Sequence, residues 1–243
     1  MSPLAAIIRR EFAAYYRTST GYVFLAVYVA LSVSVPFFLG DFFETNEASM
    51  QLFFSYQPWI LLIFLPAVAM RLWAEERHAG TWELLLTLPV GTAKAVVGKF
   101  LGAWLFALLG LALTVLFPAT LAFLGDPDWG PILAGYLGCG LMAGGMLGPA
   151  CLASALSRSQ IVAFVLAVAA NFVILLLGWD AFSRILDEFL ATGMADAIES
   201  FSYSTHFSPF TSGLIALHHV LFFVSVAAFC LIMNILVIRR QTA

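Results

Sequence analysis

Charge is scarce in this chain: Asp, Glu, Lys and Arg make up 10% of 243 residues, where an ordinary soluble domain carries roughly 25%. So few charges cannot cover a globular surface, and 62% of the residues are hydrophobic, which points to lipid rather than water as the solvent. Cysteine is nearly absent. Cys139, Cys151 and Cys230 sit in apolar stretches without metal-ligand spacing, so they read as small packing residues and exclude a disulfide framework. Catalytic signatures are missing too: there is no H-E-x-x-H, no G-x-S-x-G, and no G-x-x-x-x-G-K-[ST] loop to cradle ATP phosphates. No carboxylate stands inside a long apolar stretch. A proton-driven carrier or a membrane enzyme would be expected to show one, because a charge at a helix centre costs roughly 3 kcal/mol to insert.

What the chain does have is long uncharged runs: Thr18 to Gly40, Ala48 to Met70, Phe100 to Gly125, Trp129 to Ser157, Ser159 to Trp179 and Ser200 to Ile238. At a rise of about 1.5 Å per residue, about 20 residues cross a hydrocarbon layer of roughly 30 Å. The expected fold is therefore all-α and polytopic, a single transmembrane domain with six spans near 19–40, 57–74, 97–124, 131–156, 160–179 and 214–238. The polar stretch from Ser200 to Ser212, with His206 and Pro209, is left outside the sixth span. The run following Arg17 is too long for the core of a secretory leader, so it is read as a span.

Sidedness follows from the basic residues. Arg9, Arg10, Arg17, Arg71, Arg77, Lys94, Lys99, Arg158, Arg239 and Arg240 share one side of this topology, and only Arg184 lies opposite. The positive-inside rule then places both termini in the cytoplasm.

Two amphipathic segments flank the spans. Leu4, Ile7, Ile8, Phe12, Tyr15 and Tyr16 recur at helical spacing beside Arg9, Arg10 and Arg17, which predicts an N-terminal helix lying in the cytoplasmic interface. Phe182, Ile185, Leu186, Phe189 and Leu190 form a second stripe, an external helix between spans five and six that either lies on the surface or re-enters the membrane. Gly140 and Gly144 stand in a G-x-x-x-G relation, which suits either a dimer face or close packing within the chain. His218 and His219 are adjacent and point about 100 degrees apart on a helix, which favours packing or interhelical hydrogen bonding over chelation of one metal ion.

The connection after the second span carries the most information: Arg71-Leu-Trp-Ala-Glu75-Glu76-Arg77-His78-Ala-Gly80-Thr81-Trp82-Glu83-Leu84-Leu85-Leu86-Thr87-Leu88-Pro89. Gly80 interrupts a helix, Thr81 can cap a new one, Glu83 suits its positive end, and Pro89 stops it after about two turns. Leu84, Leu85 and Leu88 give it an apolar side. A helix so short cannot span, so its expected fate is to dock.

The E-E-R-x-x-G-T-x-E-x-L-L-x-x-P stretch, followed by Val97-Gly98-Lys99-Phe100, resembles the signature of type two ABC transporter permeases. The resemblance is closest to the small six-span branch of gliding-motility and nitrous-oxide-reductase-maturation permeases. It extends to Thr205-His206-Phe207 and to Thr211-Ser212-Gly213-Leu214-Ile215 at the entry to the last span. The resemblance implies a cytoplasmic coupling helix that enters a cleft of a separate ABC ATPase, with Glu75, Glu76, Arg77, Gly80, Thr81, Glu83, Leu84, Leu85, Leu88 and Pro89 as coupling residues. It further implies a non-catalytic transmembrane subunit serving export or force transmission. This chain would bind no cofactor, with ATP and Mg on the ATPase. The expected partners are the ATPase, a second permease copy or a similar permease, membrane lipid and external accessory proteins, with no nucleic acid. The competing reading is an ATPase-independent integral membrane protein, either a membrane enzyme or a secondary transporter.

Overall fold

The computed structural model describes residues 3–39, 49–78, 80, 91–179 and 198–242. Among them every regular element is a helix and no strand occurs. The helices are α1 (Pro3–Arg17), α2 (Ser19–Leu39), α3 (Gln51–Ala69), α4 (Arg71–His78), α5 (Thr92–Leu113), α6 (Leu116–Leu124), α7 (Trp129–Leu156), α8 (Gln160–Leu176), α9 (Tyr203–Thr211) and α10 (Leu217–Thr242). Five stretches of the described residues are long and apolar enough to cross a membrane: Ser19–Phe38, Gln51–Arg77, Thr92–Phe123, Trp129–Leu156 and Leu217–Gln241. The apolar helix Gln160–Leu176 has 17 residues, about 26 Å of rise.

Helix bounds depart from the sequence-derived ones where side chains intervene. The second span, expected from 57, begins at Gln51, and it continues past a break at Met70 into α4. The third divides at Thr114, whose hydroxyl donates to the Leu111 carbonyl at 2.7 Å and contacts the Tyr136 hydroxyl at 3.1 Å. Hydroxyl bonding back to the preceding turn competes with regular helix continuation. The polar stretch before the last span contains a helix of its own, α9, started by Ser202, whose side chain accepts from Ser204 N–H. The amphipathic segment 182–190 lies outside the described residues.

The core is organised around α7. Its small residues leave bare backbone against which other helices press. A Cβ added at Gly138 would lie 2.7 Å from Phe210 of α9, at Gly145 3.0 Å from Phe223 of α10, and at Gly148 3.1 Å from Ala227 and Cys230. Gly140 and Gly144 face Leu108 and Trp104 of α5 in the same chain, and the Trp104 indole N–H donates to the Gly140 carbonyl at 2.9 Å. Their close approach is thus used within the chain. The buried amide of Asn171 on α8 joins three helices, donating to Met146 O of α7 at 3.0 Å and accepting from the Tyr203 hydroxyl of α9 at 3.2 Å. A buried polar group in lipid needs such partners, so Asn171 fixes the register of α8.

At the opposite end of α7, α1 lies across α5. Ile7 and Leu4 cover Gly98, and Glu11 and Phe12 cover Gly102. The apolar stripe of α1 therefore packs on protein, with Tyr15 stacked on Phe106 at 4.3 Å between ring centroids. The turn from α1 into α2 has no room for a side chain at Gly21, where a Cβ would fall on the Tyr15 carbonyl oxygen. Gly21→Ala is expected to cost about 1–3 kcal/mol, the usual range for forced overpacking, and to lower the thermal midpoint in detergent by several degrees. An unchanged midpoint would contradict that packing.

Candidate functional site

Four helices meet where α4 leaves the bundle, and the meeting point is charged. Lys99, on the second turn of α5, is only 2% exposed. An ammonium has three N–H donors, and all three find partners: Glu76 Oε1 of α4 at 2.7 Å, Leu72 O of α4 at 2.9 Å, and Glu11 Oε1 of α1 at 3.3 Å. Its Nζ also sits 5.0 Å from the centre of the Trp73 ring, within cation–π range. Arg10 adds a second cation, 2.7 Å from Glu11 Oε1 and 3.6 Å from Glu76 Oε1. Two cations and two carboxylates thus balance in a site mostly shut off from solvent.

Beside this cluster, Arg71 spans α4, α1 and the α1–α2 turn. It pairs with Glu75 at 3.2 Å, donates to Thr18 Oγ1 at 3.1 Å, and lies over the Tyr15 ring at 5.2 Å. The Tyr15 hydroxyl donates to Val68 O at 3.0 Å, and burial pushes its phenol well above the usual range. Tyr15 therefore acts as a neutral donor tying α1 to the end of α3. A cavity of about 330 Å³ opens between α1 and α4, lined by Arg10, Tyr15, Arg71, Glu75, Glu76 and Lys99 among others.

The third attachment is Ser154 of α7. Its hydroxyl donates to Met70 O at 3.0 Å and accepts from Trp73 N–H at 3.1 Å and Ala74 N–H at 3.3 Å. A regular helix bonds Ala74 N–H directly to Met70 C=O, so the hydroxyl bridges the pair at the break between α3 and α4. The one proton and both lone pairs of the serine are used.

The sequence-derived coupling residues divide into two groups. Glu75, Glu76 and Arg77 lie on α4, with Glu75 and Glu76 paired as above. Gly80 stands just beyond, at φ +68, a left-handed conformation that side chains rarely adopt, and its N–H bonds to Arg77 O at 3.3 Å to close the helix. Thr81, Glu83, Leu84, Leu85, Leu88 and Pro89 lie outside the described residues. Sequence reasoning did not single out Arg10, Glu11, Arg71, Lys99 or Ser154 as site residues. Two signals were present: Glu11 is a lone acid among Arg9, Arg10 and Arg17, and Lys99 is embedded in Val96-Val97-Gly98 and Phe100. Among the described residues no three His, Cys, Asp or Glu side chains gather as a metal site.

The arrangement fastens α4 to α1, α5 and α7 by directional bonds. The family described as ABC-2 family transporter protein matches residues 8–178, which include the junction and the first eight helices almost entirely. The chain belongs to the ABC-2 transporter family. This ABC-2 protein is accordingly a multi-pass membrane permease of an ABC transporter, and such a permease works with an ABC ATPase subunit. No curated protein matches the chain.

Proposed function

We propose that this ABC-2 permease is the non-catalytic membrane half of an ATP-driven exporter or force transmitter, and that segment 75–89 docks on a separate ATPase which holds ATP and Mg. One observation supports the reading above the others: α4, which leads into Gly80 and the following segment, is bonded to α1 and α5 through Lys99 and to α7 through Ser154. A push delivered beyond Gly80 would then reach the spanning helices through hydrogen bonds and ion pairs rather than through a slack loop. In this reading α8 is the fifth of six spans, both termini lie in the cytoplasm of a bacterium or archaeon, and α1 rests in the interface of the cytoplasmic membrane. The chain works with a second permease copy or a similar permease, because two nucleotide-binding halves act on two membrane halves. The gliding-motility and nitrous-oxide-reductase-maturation branch remains the resemblance its motifs support, and lipids or hydrophobic compounds suit an aromatic-rich bundle.

The test is co-expression with candidate ATPase subunits and purification in detergent. The wild-type chain is expected to retain an ATPase, and Gly80→Pro with Glu83→Arg is expected to insert normally and lose it. Retention of the ATPase by the double variant would move the docking surface elsewhere, and failure of every ATPase to bind wild type would sink the coupling reading.

A further inference from the structure

At the end of the bundle opposite Lys99, α9 and α10 are joined through an imidazole pair. His206 Nδ1 of α9 lies 2.8 Å from His219 Nδ1 of α10, and His206 Nε2 lies 2.8 Å from the Ser200 carbonyl oxygen. A carbonyl only accepts, so His206 carries its proton on Nε2. Its Nδ1 is then a bare acceptor in the neutral ring, and His219 must donate from Nδ1. The bond holds with both rings neutral or with one of them protonated, because a neutral imidazole can turn its tautomer to leave a single N–H between the two Nδ1 atoms. A proton on each ring removes the last acceptor and sets two N–H groups against each other.

Among the described residues the surroundings of the pair are largely neutral. From α10 the neighbours are His218 and His219, with ring centroids 3.8 Å apart and His218 6.4 Å from His206. Glu199 meets Thr205 through its backbone carbonyl at 3.1 Å, and Asp128 lines a small cavity with Thr211 at the far end of α9. Tyr203 of α9 is buried and bonded to Asn171. Of the other helices packed against α9, α3 offers Tyr56, α7 offers Tyr136 and cysteines, and α8 offers none, while the charged residues of α10 are Arg239 and Arg240 in its last turn. On the other face His206 stacks on Phe222 at 3.9 Å.

We propose that the His206–His219 pair is an acid-released latch that holds α9 against α10 at the end of the permease remote from the ATPase. Above the ordinary histidine range of about 6.5 the pair is closed, and as pH falls below it protonation of both rings opens it. Burial holds the His206 imidazole below its usual value, the bond to Ser200 works against this, and His218 adds to the lowering. A base lowered in the folded state favours the neutral form, so the contact contributes fully above the unfolded value and is lost as pH falls through the folded one.

Amide exchange of segment 203–211 in the purified full chain, with EDTA and after correction for intrinsic rates, tests the latch at pH 7.5 and 5.5. Wild type is expected to lose about tenfold protection in acid. His219→Gln can donate to neutral His206 and accept from its protonated form, so its protection should be the same at both pH values. His219→Ala should be weakly protected at both. Equal wild-type protection at the two pH values, or an acid loss in the Gln variant as large as in wild type, overturns the proposal. So does a gain in protection on adding zinc without chelator where acid has no effect, which would make the pair a metal site. Exchange in detergent depends on neither sidedness nor an ATPase, so the result stands apart from the coupling reading.

Discussion

Lys99→Met is expected to lower the thermal midpoint in detergent by about 10 °C, because removing one member of a buried ion cluster costs about 3–5 kcal/mol. Methionine fills much the same volume but leaves Glu11 and Glu76 to share Arg10, which is half exposed. Like charges brought together beside the buried position of Lys99 explain most of that loss. The triple variant Lys99→Met, Glu11→Gln, Glu76→Gln removes the stranded charges and is expected to recover most of the midpoint, since apolar or neutral replacements of buried ion clusters are often tolerated. If the junction transmits motion, the triple variant folds yet its ATPase partner is no longer stimulated by the permease. Full stimulation in a stable triple variant would reduce the junction to a structural contact. A Lys99→Met midpoint equal to wild type would contradict the burial and pairing of Lys99.

Ser154→Ala is expected to cost about 2–4 kcal/mol and to raise amide exchange in residues 71–78. Three backbone groups, Met70 C=O and the N–H groups of Trp73 and Ala74, depend on that hydroxyl. Each buried group left without a partner costs about 1–3 kcal/mol, and partial reclosure of the helix between Ala74 and Met70 recovers some of it. Ser154→Thr keeps the hydroxyl and is expected to stay close to wild type in exchange. The measurement is exchange by mass spectrometry on matched samples. Unchanged protection of 71–78 in the alanine variant would mean that the helix closes across the break without help, and the serine would not be what anchors α4.

The spanning helices were legible because lipid leaves a chain few options: charge spacing marks their ends, and every backbone group inside must bond within its helix. Pro3–Arg17 was legible from its periodic apolar stripe. Its seat was not, because the bare backbone of Gly98 and Gly102 receives Ile7 and Glu11 only after the third span is in place. The break at Met70 escaped because its cause, Ser154, lies 84 residues along the chain. α9 escaped for a different reason, its Ser and Thr content reading as loop although Ser202 caps it and Phe207 and Phe210 bury it. The candidate coupling residues Glu75 and Glu76 were named from a motif that also contains Lys99, but nothing in the motif matched that cation to Glu76. Motifs record which residues recur, and partnership across helices is a property of the packed state.

The distance along the chain between Glu11 and Lys99, 88 residues, also has a meaning for biosynthesis. At roughly 5–20 residues per second, α1 leaves the ribosome roughly 5–20 s before the helix that receives it. During that interval Glu11 lacks Lys99, and Leu4 and Ile7 lack the seat that Gly98 provides, although Val68 and Arg71 are already made for Tyr15 to meet. A nascent chain stalled before Lys99 should therefore present α1 to proteases and insertion factors, and one stalled beyond α5 should hide it. The buried lysine in this way marks a point during synthesis after which the amino terminus is no longer free.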